Sequence, residues 1–286
     1  MIVRLTRSRK SEVLAGLHTL ALALPLVLLI GALLLYPMGV LFRQSLHGSH
    51  GLSFQNYAAL FRAGSARTAL LHSLLLSALV AFISTFICLA PAWLFASQRF
   101  PAQRVVRAFF TLPMSFSGII VGFLTVIMLG RIGLVSQLFE KLTGSDFFSG
   151  SAYRLSGLVI AYLYFEIPRA TLTLESALRK FDPQLSTAAR SLGASSWQRL
   201  RLLVLPLIWR PLLSTFAVTF TVSLGSFGVA LIVAKRFSIL PLEIYQQITG
   251  YGNPAFMAAM AISLVLIAFL INYSVRVWGD MERRVT

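Results

Sequence analysis

Long apolar runs separated by short polar segments limit the folds open to this sequence more than any other feature. Six of them are near or above the ~20 residues that an α-helix needs to cross a bilayer. They cover residues 17–40, 69–95, 105–129, 155–174, 204–233 and 255–275. The chain is 57% hydrophobic and only 12% charged, which is too apolar for a soluble domain. The sequence therefore predicts an all-α polytopic membrane protein with six transmembrane helices.

The first apolar run follows a basic start, MIVRLTRSRK, as in a secretory signal. A signal has a shorter apolar region of roughly 7–15 residues, followed by small residues at a cleavage site. We therefore expect this run to be kept as a membrane helix. The predicted organisation is a basic N-terminus at 1–16, a six-helix domain at 17–276 and a tail at 277–286.

The distribution of Lys and Arg predicts the orientation of the chain. Six spans place both termini on one side, and the polar segments then alternate between the two sides. Sixteen basic residues lie on the side of the termini: Arg4, Arg7, Arg9, Lys10, Arg99, Arg104, Arg107, Arg179, Lys180, Arg190, Arg199, Arg201, Arg210, Arg276, Arg283 and Arg284. Eight lie on the other side: Arg43, Arg62, Arg67, Arg131, Lys141, Arg154, Lys235 and Arg236. Because basic residues collect in cytoplasmic loops, both termini are expected in the cytoplasm.

The stretch DPQLSTAARSLGASSWQRLRLLVLP is a polar island of about 25 residues between the fourth and fifth runs. Asp182 can cap a helix that has Pro183 at its first position, where a missing N–H has no cost. Gly193 provides the backbone freedom that ends this helix. Ser195 with Gln198 three residues later forms a capping box, which starts a second helix. The island is thus predicted to be two short helices that meet at a glycine corner.

The spacing of residues in this island resembles the "EAA" loop of the membrane-spanning subunits of bacterial binding-protein-dependent ABC importers. The positions that carry the resemblance are Ala188, Ala189, Gly193, Leu205 and Pro206. Two positions depart from the family pattern, since Thr187 stands where Glu is usual and Leu203 where Ile is frequent. Thr187 lacks the carboxylate of the family's Glu, whereas the shape of the loop rests on the glycine and the caps.

The resemblance implies a fold, a location and a docking site. The fold would be that of a type I ABC importer permease (MetI-like), in a bacterial inner membrane with both termini in the cytoplasm. Residues 182–206 would be the coupling loop that docks into a groove on an ATPase subunit. The coupling residues would be Ala188, Ala189, Leu192, Gly193, Ala194 and Ser195. An ordinary cytoplasmic helix pair is the alternative interpretation of this stretch.

Other stretches extend the resemblance over most of the chain, from Leu52 to Val275. The segments SFGVAL and LPLEIYQ are similar to those of thiamine, ferric-iron and aminophosphonate importers. The segments LSFQNYAALF and HSLLLSALVA are shared more broadly, including with polyamine importers. In the family, loops on the outer side meet the binding protein that delivers the solute.

Hydroxyl side chains in the apolar runs are candidates for lining a solute pathway. In the fifth run they recur at steps of four, four and three residues, which places them on one helix face. In the third run two serines precede a GxxxG pair, Gly118 and Gly122, which favours close helix packing. The candidates are Thr215, Thr219, Ser223, Ser226, Ser115 and Ser117. Hydroxyls also hold membrane helices together, so packing is an alternative role.

Two charged residues, Glu166 and Arg169, interrupt the fourth run. They are three residues apart on a predicted helix, so they can pair and reduce the cost of burying either charge. Charges inside a membrane are by default candidates for a functional site, and this pair could meet a charged solute. An intrahelical salt bridge beside Pro168 that only stabilises the helix is an equal alternative.

Several classes of function lack support in the sequence. No GxxxxGK[ST] motif occurs, so we expect ATP and Mg²⁺ to be bound by partner chains and no cofactor by this one. The single Cys88 and the scattered His residues have no metal-ligand spacing, so no metal site is predicted. No Ser/His/Asp cluster supports a hydrolase. The net charge of +16 is better explained by basic residues in the cytoplasmic loops of a membrane protein than by binding of nucleic acid.

The sequence therefore favours a permease subunit of an ATP-driven importer and not an enzyme. The partners that the resemblance implies are two ATPase subunits, a second permease chain that is identical or homologous, a periplasmic or lipid-anchored binding protein, and the lipid bilayer. The solute would be small and charged, of the thiamine, aminophosphonate, ferric-iron or polyamine type. Alternatives from other classes are an ion-coupled secondary transporter, in which inverted repeats are common, and a non-transporting membrane scaffold.

Overall fold

The computed structural model describes residues 23–48, 51–62, 64–97, 100–181, 183–235, 237–250 and 252–281. The predicted N-terminus at 1–16 and the last residues of the predicted tail lie outside this part of the chain. Within it the chain is almost entirely helical, as predicted from the apolar runs.

The first part of the described chain contains four helices and a small hairpin. Its elements are α1 (Ala23–Ser45, with a π-helical turn at Gly31–Leu35), β1 (His47–Gly48), β2 (Gly51–Leu52), α2 (Gln55–Arg62), α3 (Gly64–Ile87) and α4 (Leu89–Ser97). The two strands pair antiparallel, and Cys88 is the single residue between α3 and α4.

The second part contains ten helices and shorter helical turns. Its elements are α5 (Gln103–Thr111), a 3₁₀ turn (Leu112–Ser115), α6 (Gly118–Leu129), α7 (Leu134–Thr143), a 3₁₀ turn (Ser151–Tyr153), α8 (Leu155–Leu178), α9 (Pro183–Ser191), α10 (Ser196–Arg199), a π-helical turn (Leu200–Val204), α11 (Leu205–Leu224), α12 (Gly228–Val233), α13 (Leu240–Thr249) and α14 (Pro254–Met281).

Five helical segments of the described residues are long and apolar enough to cross a membrane. They are Ala23–Ser45, Gly64–Ser97, Gly118–Thr143, Trp197–Leu224 and Pro254–Val275. The fourth predicted run forms a helix too, α8, but α8 is not one of these five. Glu166 and Arg169 lower its hydropathy, so the count of six spans stays a prediction.

The second predicted run, 69–95, is interrupted only at the single residue Cys88, and two other runs are interrupted over three or more residues. The third run, 105–129, breaks at the 3₁₀ turn Leu112–Ser115, where Pro113 cannot donate a backbone hydrogen bond, and the following helix begins only at Gly118. The fifth run, 204–233, ends as a helix at Leu224, and a short separate helix, α12, follows. Both predictions of a continuous helix were therefore wrong.

Helix α8 lies at the centre of the bundle, with half of its residues buried. It packs against α3, α4 and α11, and α11 also packs against α3 and α14. One apolar cluster, which includes Val80 and Tyr162, fills the end of the bundle remote from α9. Another, which includes Ala170 and Ile208, lies nearer to α9. These contacts hold α8 and α11 side by side.

Glycines allow α6 and α12 to approach each other closely. A Cβ atom built on Gly122 would lie 2.8 Å from Ile232 Cβ, and one on Gly118 would lie 3.2 Å from the backbone nitrogen of Val229. A Cβ on Gly228 would in turn lie 3.0 Å from the backbone nitrogen of Ile119. The close packing predicted from Gly118 and Gly122 is confirmed.

Candidate functional site

The polar island forms two short helices joined by a tight corner, as the sequence predicted. Helix α9 begins at Pro183, and the expected cap Asp182 lies outside the described residues. At the corner Gly193 has a φ of 82°, a conformation that favours glycine. We call residues 183–199, which comprise α9, this corner and α10, the elbow.

Backbone hydrogen bonds fix the corner of the elbow. The N–H of Ala194 donates to the carbonyl of Ala189 (3.1 Å), and the N–H of Gly193 donates to that of Arg190 (3.0 Å). This pair of bonds is the Schellman arrangement, which satisfies carbonyls that the end of a helix leaves open. The corner is therefore a defined structure and not a loose loop.

A capping box starts the second helix of the elbow. The N–H of Gln198 donates to Ser195 Oγ (3.2 Å), and the N–H of Ser195 donates to Gln198 Oε1 (2.8 Å). Both of the bonds expected for such a box are present. The prediction from the Ser and Gln spacing is confirmed.

The predicted coupling residues lie on the outside of the elbow. Ala188, Gly193 and Ser195 are exposed, and Ala189 and Ala194 are half-buried. Leu192 at the corner is 88% exposed, although it is a large apolar residue. An apolar side chain held outward by a rigid polar corner is typical of a residue that packs into a partner.

The elbow continues into the membrane helix α11 without a loop. The π-helical turn Leu200–Val204 follows α10 directly, and α11 begins at Leu205. Near the start of α11, Ile208 is buried against Leu174 and Leu178 of α8. The elbow and α11 are therefore joined by continuous helical backbone.

A buried carboxylate, Glu175, connects α8 to α5. It is only 2% exposed and forms ion pairs with Arg107 of α5 and with Arg179 (2.9 Å) at the end of α8. The guanidinium of Arg107 also lies over the ring of Phe95, 5.8 Å from its centroid. Sequence reasoning did not identify this cluster. The spacing of Glu175 and Arg179 by four residues was the only signal for it.

The same cluster holds the end of α4. Arg179 Nη2 donates to the carbonyl oxygen of Phe95 (2.9 Å), and Gln103 Nε2 donates to the same oxygen (3.1 Å). A cation close to the C-terminal end of a helix is stabilised by the helix dipole. The ends of α4 and α8 and the helix α5 are thus joined immediately before the chain enters the elbow.

Glu166 and Arg169 form the intrahelical pair that their spacing predicted. Arg169 Nε lies 3.4 Å from Glu166 Oε2. The Glu166 side chain is fully buried, and that of Arg169 is 32% exposed. The pair therefore lies at the edge of the bundle, with its acidic member directed inward.

Buried polar side chains on α3, α8 and α11 run along the inside of the bundle. Some of their oxygen atoms have no hydrogen-bond partner among the described residues. We call these residues the polar column: Ser77, Ser84, Thr85, Glu166, Thr215, Thr219 and Ser223. Each such buried atom costs about 1–3 kcal/mol when it lacks a partner.

Two members of the column lie between the same two apolar clusters. Two pairs of residues on neighbouring helices share clusters. The pairs are Val80 with Tyr162, and Cys88 with Ala170. Ser84 lies four residues after Val80 and four residues before Cys88. Glu166 lies four residues after Tyr162 and four residues before Ala170. Ser84 and Glu166 are therefore each flanked along their helices by residues of the same two apolar clusters.

The hydroxyl groups of α11 continue the same interface. Ile208 and Leu212 belong to the apolar cluster that includes Ala170 of α8. Thr215 and Thr219 follow them at helical spacing and are completely buried. The predicted hydroxyl face is thus directed towards α8 and lies inside the chain.

The remaining pathway candidates lie away from the column. Ser226 is not on the helical face where the sequence placed it, because α11 ends at Leu224; its carbonyl accepts a hydrogen bond from the Tyr162 hydroxyl (2.7 Å). Ser115 and Ser117 are exposed. Ser117 caps α6 and accepts a bond from the N–H of Ile120 (3.4 Å).

These features define a multi-spanning helical membrane protein with a rigid polar elbow next to a buried polar column. Residues 89–280 match the family of the binding-protein-dependent transport system inner membrane component. The chain belongs to this family.

Individual relatives are distant in sequence. The chain is 24% identical over 254 residues to the ferric transport system permease protein FbpB of Actinobacillus pleuropneumoniae. This alignment covers 87% of the present chain and 37% of FbpB. It is 29% identical over 189 residues to the molybdenum transport system permease protein ModB of Haemophilus influenzae. This alignment covers 63% of the present chain and 80% of ModB. The chain thus spans less than half the length of the ferric relative.

Solved structures share the fold. The bacterial alginate ABC transporter in complex with an alginate-bound periplasmic protein matches with a TM-score of 0.78 at 18% identity, over 96% of this chain and 97% of that one. The inward-facing MetNI methionine ABC transporter matches with a TM-score of 0.58 at 21% identity, over 82% and 100%. These matches confirm the predicted permease type of fold.

Proposed function

We propose that this chain is the permease subunit of an ATP-driven importer and that the elbow is its docking site for an ATPase subunit. The observation that carries the proposal is Leu192, an apolar side chain held almost fully exposed at a rigid corner that continues into a membrane helix. The family to which the chain belongs supports the same function.

The coupling mechanism follows from the geometry of the elbow. ATP binding by two partner ATPases draws these subunits together, and each moves the elbow of the permease into which it is docked. The displacement passes through the π-helical turn Leu200–Val204 into α11 and through Glu175 into α5. Access to the pathway then switches from one side of the membrane to the other.

We propose that the polar column forms part of the solute pathway in another conformation. Buried polar atoms without partners are costly in a closed bundle, and hydration or solute contact in an open state would satisfy them. Separation of α8 from α11 would expose Thr215, Thr219 and Glu166 together. Arg169, already partly exposed, would meet a charged solute first.

The proposed solute is small and charged and is delivered by an external binding protein. The relatives include permeases described as ferric, sulfate and molybdenum transport proteins, all of which concern small inorganic ions. A second permease chain, six spans, and both termini in the cytoplasm of a bacterial inner membrane complete the proposal. The excess of basic residues on one side of the predicted spans supports this orientation.

Purification of the full chain together with the products of neighbouring genes tests the proposal. We expect an ATPase to co-purify and the binding protein with its solute to stimulate ATP hydrolysis in proteoliposomes. Solute uptake by the chain alone, driven by an ion gradient, would contradict the proposal and favour a secondary transporter. A complex without uptake or stimulated hydrolysis would favour a scaffold.

A substitution at the corner tests the docking site itself. Gly193→Asp places a charge at the tip, and the positive φ adds backbone strain of about 1 kcal/mol. No atom lies within 4 Å of the new Cβ, so the spans should stay folded. We expect solute-stimulated ATP hydrolysis to be lost.

Gly144→Asp is the matched control for this substitution. Gly144 also has a positive φ, 67°, and open space around its Cβ, but it ends α7 and lies outside the elbow. The control should keep normal stimulated hydrolysis. Normal solute-stimulated ATP hydrolysis in Gly193→Asp would count against docking at the elbow. An equal loss of this hydrolysis in both variants would count against it too.

A further inference from the structure

A cavity of about 550 Å³ lies between the elbow and the membrane helices. Its walls come from the ends of α4 and α8, from α9 and α10, from the π-helical turn Leu200–Val204, and from the start of α11. This volume is within the range of about 300–1,000 Å³ that is usual for sites of small molecules. The cavity is thus large enough to hold a ligand of the size of a lipid headgroup.

The cavity is positioned at the boundary of the membrane. The candidate span Gly64–Ser97 ends at it, and Trp93, which is 45% exposed, forms part of its wall. Trp side chains are enriched where a bilayer meets water. Leu178 and Leu203 extend the wall with apolar surface. A ligand in the cavity would therefore contact water at one end and hydrocarbon at the other.

The polar part of the wall is basic. Arg179, Arg190 and Arg199 line the cavity, and no acidic side chain lines it among the described residues. Arg179 already forms an ion pair with Glu175. Arg190 is exposed and forms no ion pair with another described residue. The cavity thus retains positive charge with which an anion can pair.

The cavity is distinct from the docking tip of the elbow. Helix α9 directs Arg190 into the cavity, whereas the exposed Leu192 does not line it. A partner that packs on the tip therefore leaves the cavity, on the membrane side of the elbow, to another ligand.

We propose that this cavity binds the headgroup of an anionic phospholipid. Arg190 would bind the phosphate, and the apolar wall at Leu178 and Leu203 would contact the start of an acyl chain. Basic pockets between membrane helices bind such headgroups through the same combination of charge and apolar contact. A lipid in this position would fill the space between the elbow and the bundle and so support the elbow from the membrane side.

Fluorescence quenching of Trp93 tests the proposal with the full-length chain. The other three tryptophans, Trp197, Trp209 and Trp278, are each about half exposed or more and can be replaced by Phe. The variant is reconstituted into phosphatidylcholine vesicles that contain the same mole fraction of either brominated phosphatidylglycerol or brominated phosphatidylcholine. We expect an enrichment of about fivefold for the anionic lipid around Trp93, as one basic residue near a membrane surface provides.

Variants at two arginines separate the cavity from general attraction to a basic surface. Arg190→Gln should reduce the quenching by brominated phosphatidylglycerol to the level of phosphatidylcholine, and Arg190→Lys, which keeps the charge, should retain the enrichment. Arg201→Gln is the control, because Arg201 is exposed on the adjoining turn and does not line the cavity. Circular dichroism checks that each variant is folded.

Three results would overturn the proposal. Equal quenching by the two brominated lipids would show that the cavity has no preference for an anionic headgroup. An equal loss of quenching by brominated phosphatidylglycerol in Arg190→Gln and Arg201→Gln would show that the whole basic surface, and not the cavity, attracts the lipid. Displacement of the quenching lipid by millimolar glycerol phosphate would assign the cavity to a free phosphate compound.

Discussion

Glu175 shows how one buried side chain can join three elements. Its carboxylate pairs with two arginines, and one of them also binds the carbonyl end of α4. Removal of the acidic member of a buried pair leaves cations without a partner. Because the two arginine side chains are 38% and 49% exposed, water replaces part of the lost interaction.

We therefore predict that Glu175→Gln lowers the free energy of unfolding by about 1–2 kcal/mol, which corresponds to a few degrees of melting temperature. Arg107→Gln should cost a similar amount, and the double variant little more than either alone. Thermal unfolding of the detergent-solubilised protein measures these effects. Glu140→Gln, at an exposed site on α7, is the control and should change nothing. If the double variant loses the sum of the unfolding free energies lost by the two single variants, Glu175 and Arg107 do not act together.

Residue-scale features differed in how far the sequence could predict them. The glycine corner and the capping box of Ser195 and Gln198 are formed by residues close together in the sequence. The local pattern was therefore sufficient to predict them. The pairing of Glu166 with Arg169 was predictable for the same reason. Arg107 reaches Glu175 only through the packing of α5 on α8, which no local pattern encodes.

At the scale of helices, the approach of α6 to α12 depends on the absence of side chains. A methyl group at Gly122 would lie 2.8 Å from Ile232 Cβ, an atom fixed to its backbone, so the two helices would have to separate. Overpacking of this kind costs about 1–3 kcal/mol. The contact is therefore sensitive to a single carbon atom.

We predict that Gly122→Ala lowers the thermal stability of the purified protein, whereas Gly39→Ala does not. Gly39 lies inside α1 with no atom within 4 Å of an added Cβ, so alanine there should be neutral or stabilise the helix by up to about 1 kcal/mol. Melting temperatures of both variants test this. Equal melting temperatures for Gly122→Ala and the unmodified chain would refute the close contact.

Helix boundaries were less predictable than the existence of helices. Hydropathy averaged over about 20 residues identifies a span but does not resolve a break of a few residues within it. Both interruptions, at the turn Leu112–Ser115 and after Leu224, fall inside such runs. Pro113 and Gly225 were the available signals for these two breaks.

At the scale of the whole molecule, the single cysteine makes the orientation accessible to measurement. Cys88 is completely buried and should not react with a membrane-impermeant maleimide. New cysteines at Leu192 and Gly144 are exposed and lie on opposite sides in the proposed topology. We predict that Leu192→Cys is labelled only from the cytoplasmic side and Gly144→Cys only from the other side.

Right-side-out and inverted vesicles provide the two directions of labelling, and the unmodified chain provides the background. Labelling of both new cysteines from the same side would contradict the predicted topology. Labelling of Leu192→Cys only from the outside would remove the elbow from the compartment where ATP is available. The predicted family fold would then remain, but the coupling mechanism would fail.

The direct passage from the elbow into α11 has a mechanical consequence. The 20 residues of α11 form a rod about 30 Å long. If such a rod tilts by roughly 5° about one end, the other end moves by about 2.6 Å, close to the diameter of a water molecule. A gap between α8 and α11 wide enough to admit water would therefore require only a few degrees of rotation of α11, which is the size of movement that the proposed coupling has to produce at the elbow.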